Sequence, residues 1–490
     1  MFIIFFLGAL VYLKLFISTL FLSTFVYGSD LNGSRPNIVF FLTDDQSLFD
    51  YTAYGSKKAP TPISGEFAKE SLVFNRAYTA QAICAPSRST LYSGLYPIKH
   101  GCFINHTEIR PGVKTIPNYL KPLGYDVILA GKSHVKPNNQ FQWTEHFYPV
   151  PKEVTGKPRP SIPSKKIANL FKTADKPFCL MVACEFPHGP FFKETSIKPE
   201  DVDLQPFRND TLETRIGTTK YYESIAESER EFKILLDLID QYNLTDDTIV
   251  IFASDHGMHD GKFTVYDRGL HVPFIVRWPG KIKPGRTDAL INFVDFVPTI
   301  IDLAGGKIPE TLDGKSLVPI FERKKDSHHD YVYGVGHRQG TIGRYINPQR
   351  SISDGRYHYI FNFNSLERIE RERKQGKKIN YFIERGAKVH PNRPEEEMYD
   401  ILNDPHEMKN IADNPTYVSK QNELKKELFK WMESQNDYLN KDGEIIYLST
   451  IRHPLDYSEK FNAFNNYVVP KELEGTLNGL YKNPHSITAQ

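Results

Sequence analysis

Four cysteines in 490 residues, Cys84, Cys102, Cys179 and Cys184, are too few for a disulfide scaffold, so the fold must rest on its apolar core. Cys179 and Cys184 lie in the strand-like run Phe178 to Cys184. Their odd separation puts them on opposite faces, and a regular strand forbids a bridge between them. If Cys84 has a chemical task, three thiols remain, and at least one is free or paired outside the chain. An excess of charge of one sign is also missing. Lys and Arg number 61 against 59 Asp and Glu, a formal +2, so nucleic-acid binding by phosphate neutralisation has no support. Any anion site must be built locally. With 40% hydrophobic residues, disorder and collagen are excluded, and the length suits one large or two ordinary domains. The 27 Tyr and 33 Phe supply a large core with rings to spare for a cleft.

A long apolar run occurs once. Residues 1–28 are apolar around a single charge, Lys14, and contain no acidic residue. A cut after Gly28 fits a cleaved export signal, while the same stretch is long enough to stay as a membrane anchor. The expectation is an exported protein, secreted or lysosomal, with no stable membrane span after cleavage. Asn-x-Ser/Thr sequons at Asn32, Asn105, Asn209 and Asn243 agree with glycosylation on that route.

From Pro36 to about Gly280 short apolar runs alternate with amphipathic segments, the pattern of a mostly parallel α/β sheet. Ile38 to Leu42, Asp126 to Ala130, Phe178 to Cys184 and Ile249 to Ala253 read as buried strands. Glu223 to Tyr242 has helical spacing, and Pro151 to Lys166 reads as a surface loop at a cleft rim. After about Gly340 the pattern changes to the alternating strand Arg356 to Phe361, then a helix near Val418 to Gln435. The expected division is residues 1–28 as signal, 29–340 as the main domain and 341–490 as a smaller one.

Each of the four strands runs into a polar cluster. Asp44 and Asp45 follow the first, Lys132 and His134 the second, His188 the third, and Asp255 and His256 the fourth. Alone, each is an ordinary turn, cap or structural histidine. Together, at the carboxyl ends of strands in one sheet, they predict a single crevice. Three carboxylates cannot share it without counter-charge. A divalent cation would supply that charge: hard oxygen donors suit calcium or magnesium, with His256 a softer fourth ligand. Zinc is the alternative, although no His-Glu-x-x-His or paired-Cys spacing exists.

The most specific motif is Cys84-Ala85-Pro86-Ser87-Arg88, continuing to Leu91-Tyr92-Ser93-Gly94. Pro86 opens a helix and places the thiol at its N-terminus, where backbone N–H groups favour an anion. A cysteine phosphatase would need Arg at position 90, which is Thr. A buried Cys before a capped helix is the plainer alternative.

This motif resembles the signature of the type I sulfatases, in which the Cys is oxidised to formylglycine. Further segments are similar in the family's order. They are Asn37-Ile38-Val39 with Asp44-Asp45-Gln46, Gly131-Lys132-Ser133-His134, Pro187-His188-Gly189-Pro190, Ser254-Asp255-His256-Gly257, Gly261-Lys262, and the tail Tyr399-Asp400 to Glu407 with Asn410. The resemblance spans roughly Pro36 to Asn410. It implies an alkaline-phosphatase-like, mostly parallel sheet sandwiched by helices, with a smaller C-terminal α+β domain carrying an antiparallel sheet. It implies one calcium ion held by Asp44, Asp45, Asp255, His256 and the modified Cys84, and maturation by a formylglycine-generating enzyme.

The resemblance also implies roles. Arg88, Lys132 and Lys262 would spread positive charge over a sulfuryl group. His188 would be the acid for the leaving group, and His134 would take a proton from the second hydroxyl of hydrated formylglycine. The substrate would be a sulfated saccharide, and an oligomer is compatible with all of this. Tyr331 to His337, Pro348 to Ile352 and Tyr359 to Asn362 look most like the heparan N-sulfatase (sulfamidase) branch. The charged run Glu367 to Lys378 reads as a solvated helix or a polyanion-contacting rim. An O-sulfatase, aryl or glycosaminoglycan, would use the same core with a different rim, and two further function classes stay open: a phosphate or phosphonate ester hydrolase of the same superfamily, and a non-catalytic sugar-binding protein in which Cys84 stays a thiol.

Overall fold

The structure is a computed structural model that describes residues 30–154, 157–338, 346–363, 365–376 and 393–437. The expected signal at residues 1–28 lies outside them. Among the described residues no helix is long and apolar enough to cross a membrane.

Eight strands form the main sheet: β1 (Asn37–Asp44), β2 (Leu72–Tyr78), β3 (Asp126–Gly131), β4 (Glu145–Phe147), β7 (Phe178–Pro187), β8 (Thr248–Ser254), β9 (Phe274–Arg277) and β10 (Gly285–Asn292). Their spatial order is β10-β2-β9-β8-β1-β7-β3-β4. All neighbours are parallel except β9, which runs against both β2 and β8. The central strands are apolar on both faces, as a parallel sheet covered on two sides requires. Phe40 and Leu42 of β1 join one buried cluster, and Val39 and Phe41 join the other. Cys179 and Cys184 fall in opposite clusters, and all four cysteines are free and buried.

Helix α1 (Cys84–Ser93) follows β2. The long helix α2 (Leu212–Gln241) covers one sheet face with Phe232, Leu235 and Ile239. It begins eleven residues before its expected start. Thr211 caps it, its side chain accepting from the Thr214 N–H, while Thr and Gly in the first turns hide the helical period. Buried Glu227, Glu229 and Glu231 also interrupt the apolar stripe by which such a face is read. The segment expected as a loop, Pro151 to Lys166, is instead an antiparallel hairpin of β5 (Val150–Val154) and β6 (Lys157–Ser161), followed by a helix from Ser164 to Thr173. Its prolines fit because a two-stranded ribbon has outer positions that need no N–H.

A second sheet, in the order β11-β12-β13-β14, holds β11 (Val332–Arg338), β12 (Ile346–Ser353), β13 (Tyr357–Asn362) and β14 (Glu396–Asp400). It is antiparallel throughout. It opens at Val332, one strand ahead of the boundary expected at residue 340. Helix α3 (Val418–Ser434), as expected, closes it, with Trp431 stacked on Tyr333 at 4.4 Å between centroids. Tyr96, Ile98 and Phe103, from the chain after α1, share a core with Val335, Ile352 and Tyr359 of this sheet. The Glu367 to Lys378 run is a docked helix over Leu366–Lys374. Arg368 is buried against the Phe361 and Phe363 rings, and Arg371 pairs with Glu395.

Two buried acids of α2 make stability depend on pH. Burial pushes Glu229 and Glu231 from 4.5 up to about 7, against hydrogen bonds from Ser64 and from Cys184 and Ser161 respectively. The folded state therefore holds protons that the unfolded chain has released between pH 4.5 and 7, so this contribution falls as pH rises through that window and is flat above it. Urea unfolding at pH 5 and pH 7.5 should show Glu231→Gln losing less stability than the parent, the difference being at most about 3 kcal/mol. Equal losses would show that this carboxyl does not titrate there.

Candidate active site

The spatial order β8-β1-β7-β3 brings all four expected clusters to one edge of the sheet. Asp44 ends β1 and Asp45 follows it with φ 64°. That left-handed turn is held at both ends: the Asp45 N–H donates to Asp255 Oδ1 at 3.1 Å, and its carbonyl accepts from Tyr221 Oη at 3.0 Å. Lys132 and His134 leave β3 through Gly131, whose φ of 97° and backbone contact with Ala183 admit no side chain, since a Cβ would sit 2.2 Å from the Ala183 carbonyl oxygen. His188 follows β7, and Asp255 and His256 follow β8. Lys262 reaches in from the next loop, and Cys84 is the first residue of α1.

The charges balance without any further ion. Lys132 pairs with Asp44. Lys262 Nζ donates to both oxygens of Asp45 at 2.8 and 2.6 Å. Arg88, fully buried, donates through Nε to Asp255 Oδ2 at 3.1 Å and places Nη2 3.0 Å from that oxygen and 3.6 Å from Asp44 Oδ2. Three carboxylates therefore do not by themselves demand a metal here, because three side-chain cations answer them. Burial works to raise Asp44, yet Lys132 and then Arg88 hold its carboxyl well below the usual range. Asp255 is pushed up, by burial and then by the charge of Asp44.

The thiol is the opposite of an activated one. Burial, followed by Asp44, Asp45 and Asp255, pushes Cys84 well above an ordinary cysteine. The helix N-terminus expected to favour a thiolate is outweighed by three carboxylates, so the sulfur as it stands is a protonated, unreactive group.

The same surroundings fit a divalent cation. Cys84 Sγ lies 3.6 Å from Asp44 Oδ1, 3.9 Å from Asp45 Oδ1 and 3.4 Å from His256 Nε2, and the last is 3.2 Å from Asp45 Oδ1. Ligands bound at 2.3–2.6 Å and at right angles would stand about 3.4 Å apart. His256 Nδ1 faces the Gly257 carbonyl at 2.9 Å, which only accepts. Nδ1 therefore carries a proton, which leaves Nε2 as the nitrogen that can offer a lone pair to a cation in the cluster. Asp255 stands outside this foursome, its Oδ2 committed to Arg88. His188 Nε2 is 3.7 Å from Asp45 Oδ2, and its Nδ1 donates to the Gly189 carbonyl at 2.6 Å. To act as an acid through Nε2 it must therefore be the imidazolium. Burial, then Lys132, lowers His134 to about 2, so it is a neutral ring.

Sequence reasoning missed three contributors. Arg159 on the β5-β6 hairpin donates to the His188 carbonyl at 2.8 Å, which fastens the His188 loop to the rim. His106 Nδ1 meets His134 Nε2 at 2.7 Å. Asn105, buried, accepts the Ala85 N–H at 3.1 Å, satisfying one of the free amides of α1. As a sequon Asn105 is therefore corrected: its amide is inside the folded chain, whereas Asn32, Asn209 and Asn243 are exposed. The smaller sheet reaches the site indirectly. Glu407, in the tail motif, accepts the Asp267 N–H at 2.8 Å and pairs with His358 of β13. It thereby anchors the loop that carries Lys262.

The chain is also similar to known proteins. The family described as Sulfatase matches residues 36–306, and the family described as N-sulphoglucosamine sulphohydrolase, C-terminal, matches residues 254–372. An ulvan-active sulfatase of Formosa agariphila is 48% identical over 83% of this chain and 82% of its own. Human N-sulphoglucosamine sulphohydrolase is 23% identical over 82% of this chain and 91% of its own. Among solved structures, a 2-O GAG sulfatase superposes with a TM-score of 0.66 at 22% identity, covering 82% of this chain and 93% of that one. The likeness of fold identifies the architecture as alkaline-phosphatase-like.

The balance of buried charge can be tested. Arg88→Met leaves Asp44 and Asp255 facing each other without their shared cation, and should cost roughly 3–5 kcal/mol in urea unfolding of chelator-treated protein. Adding Asp255→Asn to it should recover part of that loss. Additive losses would show that the guanidinium does not compensate the carboxylate.

Proposed function

Because this chain belongs to the sulfatase family, we propose that it hydrolyses sulfate from a sulfated saccharide at residue 84, after a formylglycine-generating enzyme has oxidised Cys84. The observation that carries the reading is the thiol itself. It is buried among three carboxylates that keep it protonated, yet it stands where three cations converge. A thiol is useless there and a neutral, hydratable group is not.

Asp44, Asp45, His256 and residue 84 would hold the metal, with Asp255 closing the set, and the oxygen-rich donors favour calcium. Formylglycine with that metal supplies a polarised hydroxyl able to attack sulfur. Arg88, Lys132 and Lys262 bring fixed positive charge to the sulfuryl oxygens as charge shifts there. His188, as the imidazolium, gives its Nε2 proton to the leaving oxygen or nitrogen. The chemical part of His134 depends on which ring nitrogen bears its proton. Export to a secreted or lysosomal site is supported by the apolar leader of residues 1–28.

For the substrate, 48% identity to an ulvan-active sulfatase weighs toward a sulfated polysaccharide of that kind. The N-sulfoglucosamine reading keeps the support of the C-terminal family match. Its marker segment Pro348 to Ile352 is buried, however, and Arg350 forms a two-pronged pair with Asp437 at 2.7 and 2.8 Å, a contact between the smaller sheet and the chain just after α3. The deciding experiment compares kcat/KM for ulvan oligosaccharides, N-sulfated, 2-O-sulfated and 6-O-sulfated glucosamine, an aryl sulfate and an aryl phosphate. Ulvan oligosaccharides should exceed the N-sulfated sugar by more than about tenfold, or about 1.4 kcal/mol. The reverse order would assign the N-sulfate. Preference for the phosphate would overturn the sulfatase reading.

A further inference from the structure

The hydrogen-bond chain from α1 to His134 has only one possible direction. The Ala85 backbone N–H can only donate, so the Asn105 atom 3.1 Å from it is the carbonyl oxygen. The other end of that amide, the NH2, therefore faces His106 Nε2 at 3.3 Å, which must accept. A neutral imidazole that accepts at Nε2 carries its proton on Nδ1. His106 Nδ1 then donates across 2.7 Å to His134 Nε2, which in turn must accept. The His134 proton is left on Nδ1, a buried atom with no hydrogen-bond partner among the described residues. Turning the Asn105 amide over would set its NH2 against the Ala85 N–H, and an imidazolium at either histidine would set two N–H groups against each other.

We propose that Asn105 and His106 are positioning residues that hold His134 in its Nδ1-protonated tautomer, so that its second ring nitrogen is an N–H donor and not a lone pair. The backbone agrees with an imposed arrangement. His106 and His134 both have left-handed φ, 67° and 51°, a conformation that costs a residue with a Cβ and persists only where its surroundings enforce it. Their rings lie 4.5 Å apart between centroids. The family resemblance casts His134 as the acceptor of a hydroxyl proton. In this arrangement its free nitrogen cannot take one. It can only donate to an oxygen placed against it.

The effect on turnover rests on the sulfatase reading, whereas the position of the proton does not. The test therefore starts with 15N-histidine NMR of the full-length protein, with signals assigned by loss in His134→Gln and His106→Gln. A protonated Nδ1 and a pyridine-like Nε2 on His134 are expected, and the reverse pattern, or a doubly protonated ring, would overturn the proposal. In Asn105→Asp the shape is kept but the donor is lost, so the His106 resonances should change to a protonated Nε2. Unchanged resonances would also count against it. In steady-state assays His106→Leu should lower kcat by roughly 10- to 100-fold with little change in KM. His106→Gln, whose amide can still donate to His134, should recover most of the loss. No rescue, with melting temperatures equal, would contradict the role given to the donor.

Discussion

Burial of three carboxylates around one sulfur is the constraint on which the structure turns. Asp44, Asp45 and Asp255 come from two adjacent strand ends, and that closeness is tolerable only because Arg88, Lys132 and Lys262 are brought in from three other segments. The cost of leaving such a charge unpaired is several kcal/mol, so none of the six can be treated as an independent site residue. The same arrangement decides the state of residue 84: carboxylates that would bind a cation also suppress a thiolate. A site so built serves a neutral oxygen nucleophile beside a metal far better than it serves sulfur.

The supports lie at increasing distance. Tyr221 and Asp255 fix the strained Asp45 turn. Asn105 caps α1 at the residue after Cys84, Arg159 ties the His188 loop to the hairpin, and Glu407 ties the Lys262 loop to the smaller sheet. The second sheet is thus part of the active-site scaffold as well as a neighbour to it. Its shared core with Tyr96, Ile98 and Phe103 explains why the sheet packs directly behind the segment that follows α1.

Much of this was legible from residue order alone. Apolar runs ending in Asp44-Asp45, Lys132 and His134, His188, and Asp255-His256 sufficed to place seven side chains at one sheet edge, because parallel strands leave their carboxyl ends together; Cys84, Arg88 and Lys262 were legible only through the family resemblance. What was illegible has physical causes. The first turns of α2 lack a helical period, and its buried glutamates look like surface residues until their partners are known. The β5-β6 hairpin was hidden by prolines, which read as loop unless the ribbon's open edges are visible. Asn105 carries a sequon that points outward in sequence and inward in space, and no pattern marks His106, whose meaning arises only from the two atoms it joins.

The central claim is that turnover belongs to a converted residue 84 and not to cysteine. The most direct measurement is mass spectrometry of the peptide holding residue 84, made on preparations whose specific activity toward a sulfated saccharide has been measured with metal present. Activity should rise in proportion to the fraction of formylglycine, and preparations with an intact thiol should be folded and inactive. Full activity from protein whose Cys84 is quantitatively alkylatable after denaturation would contradict the account.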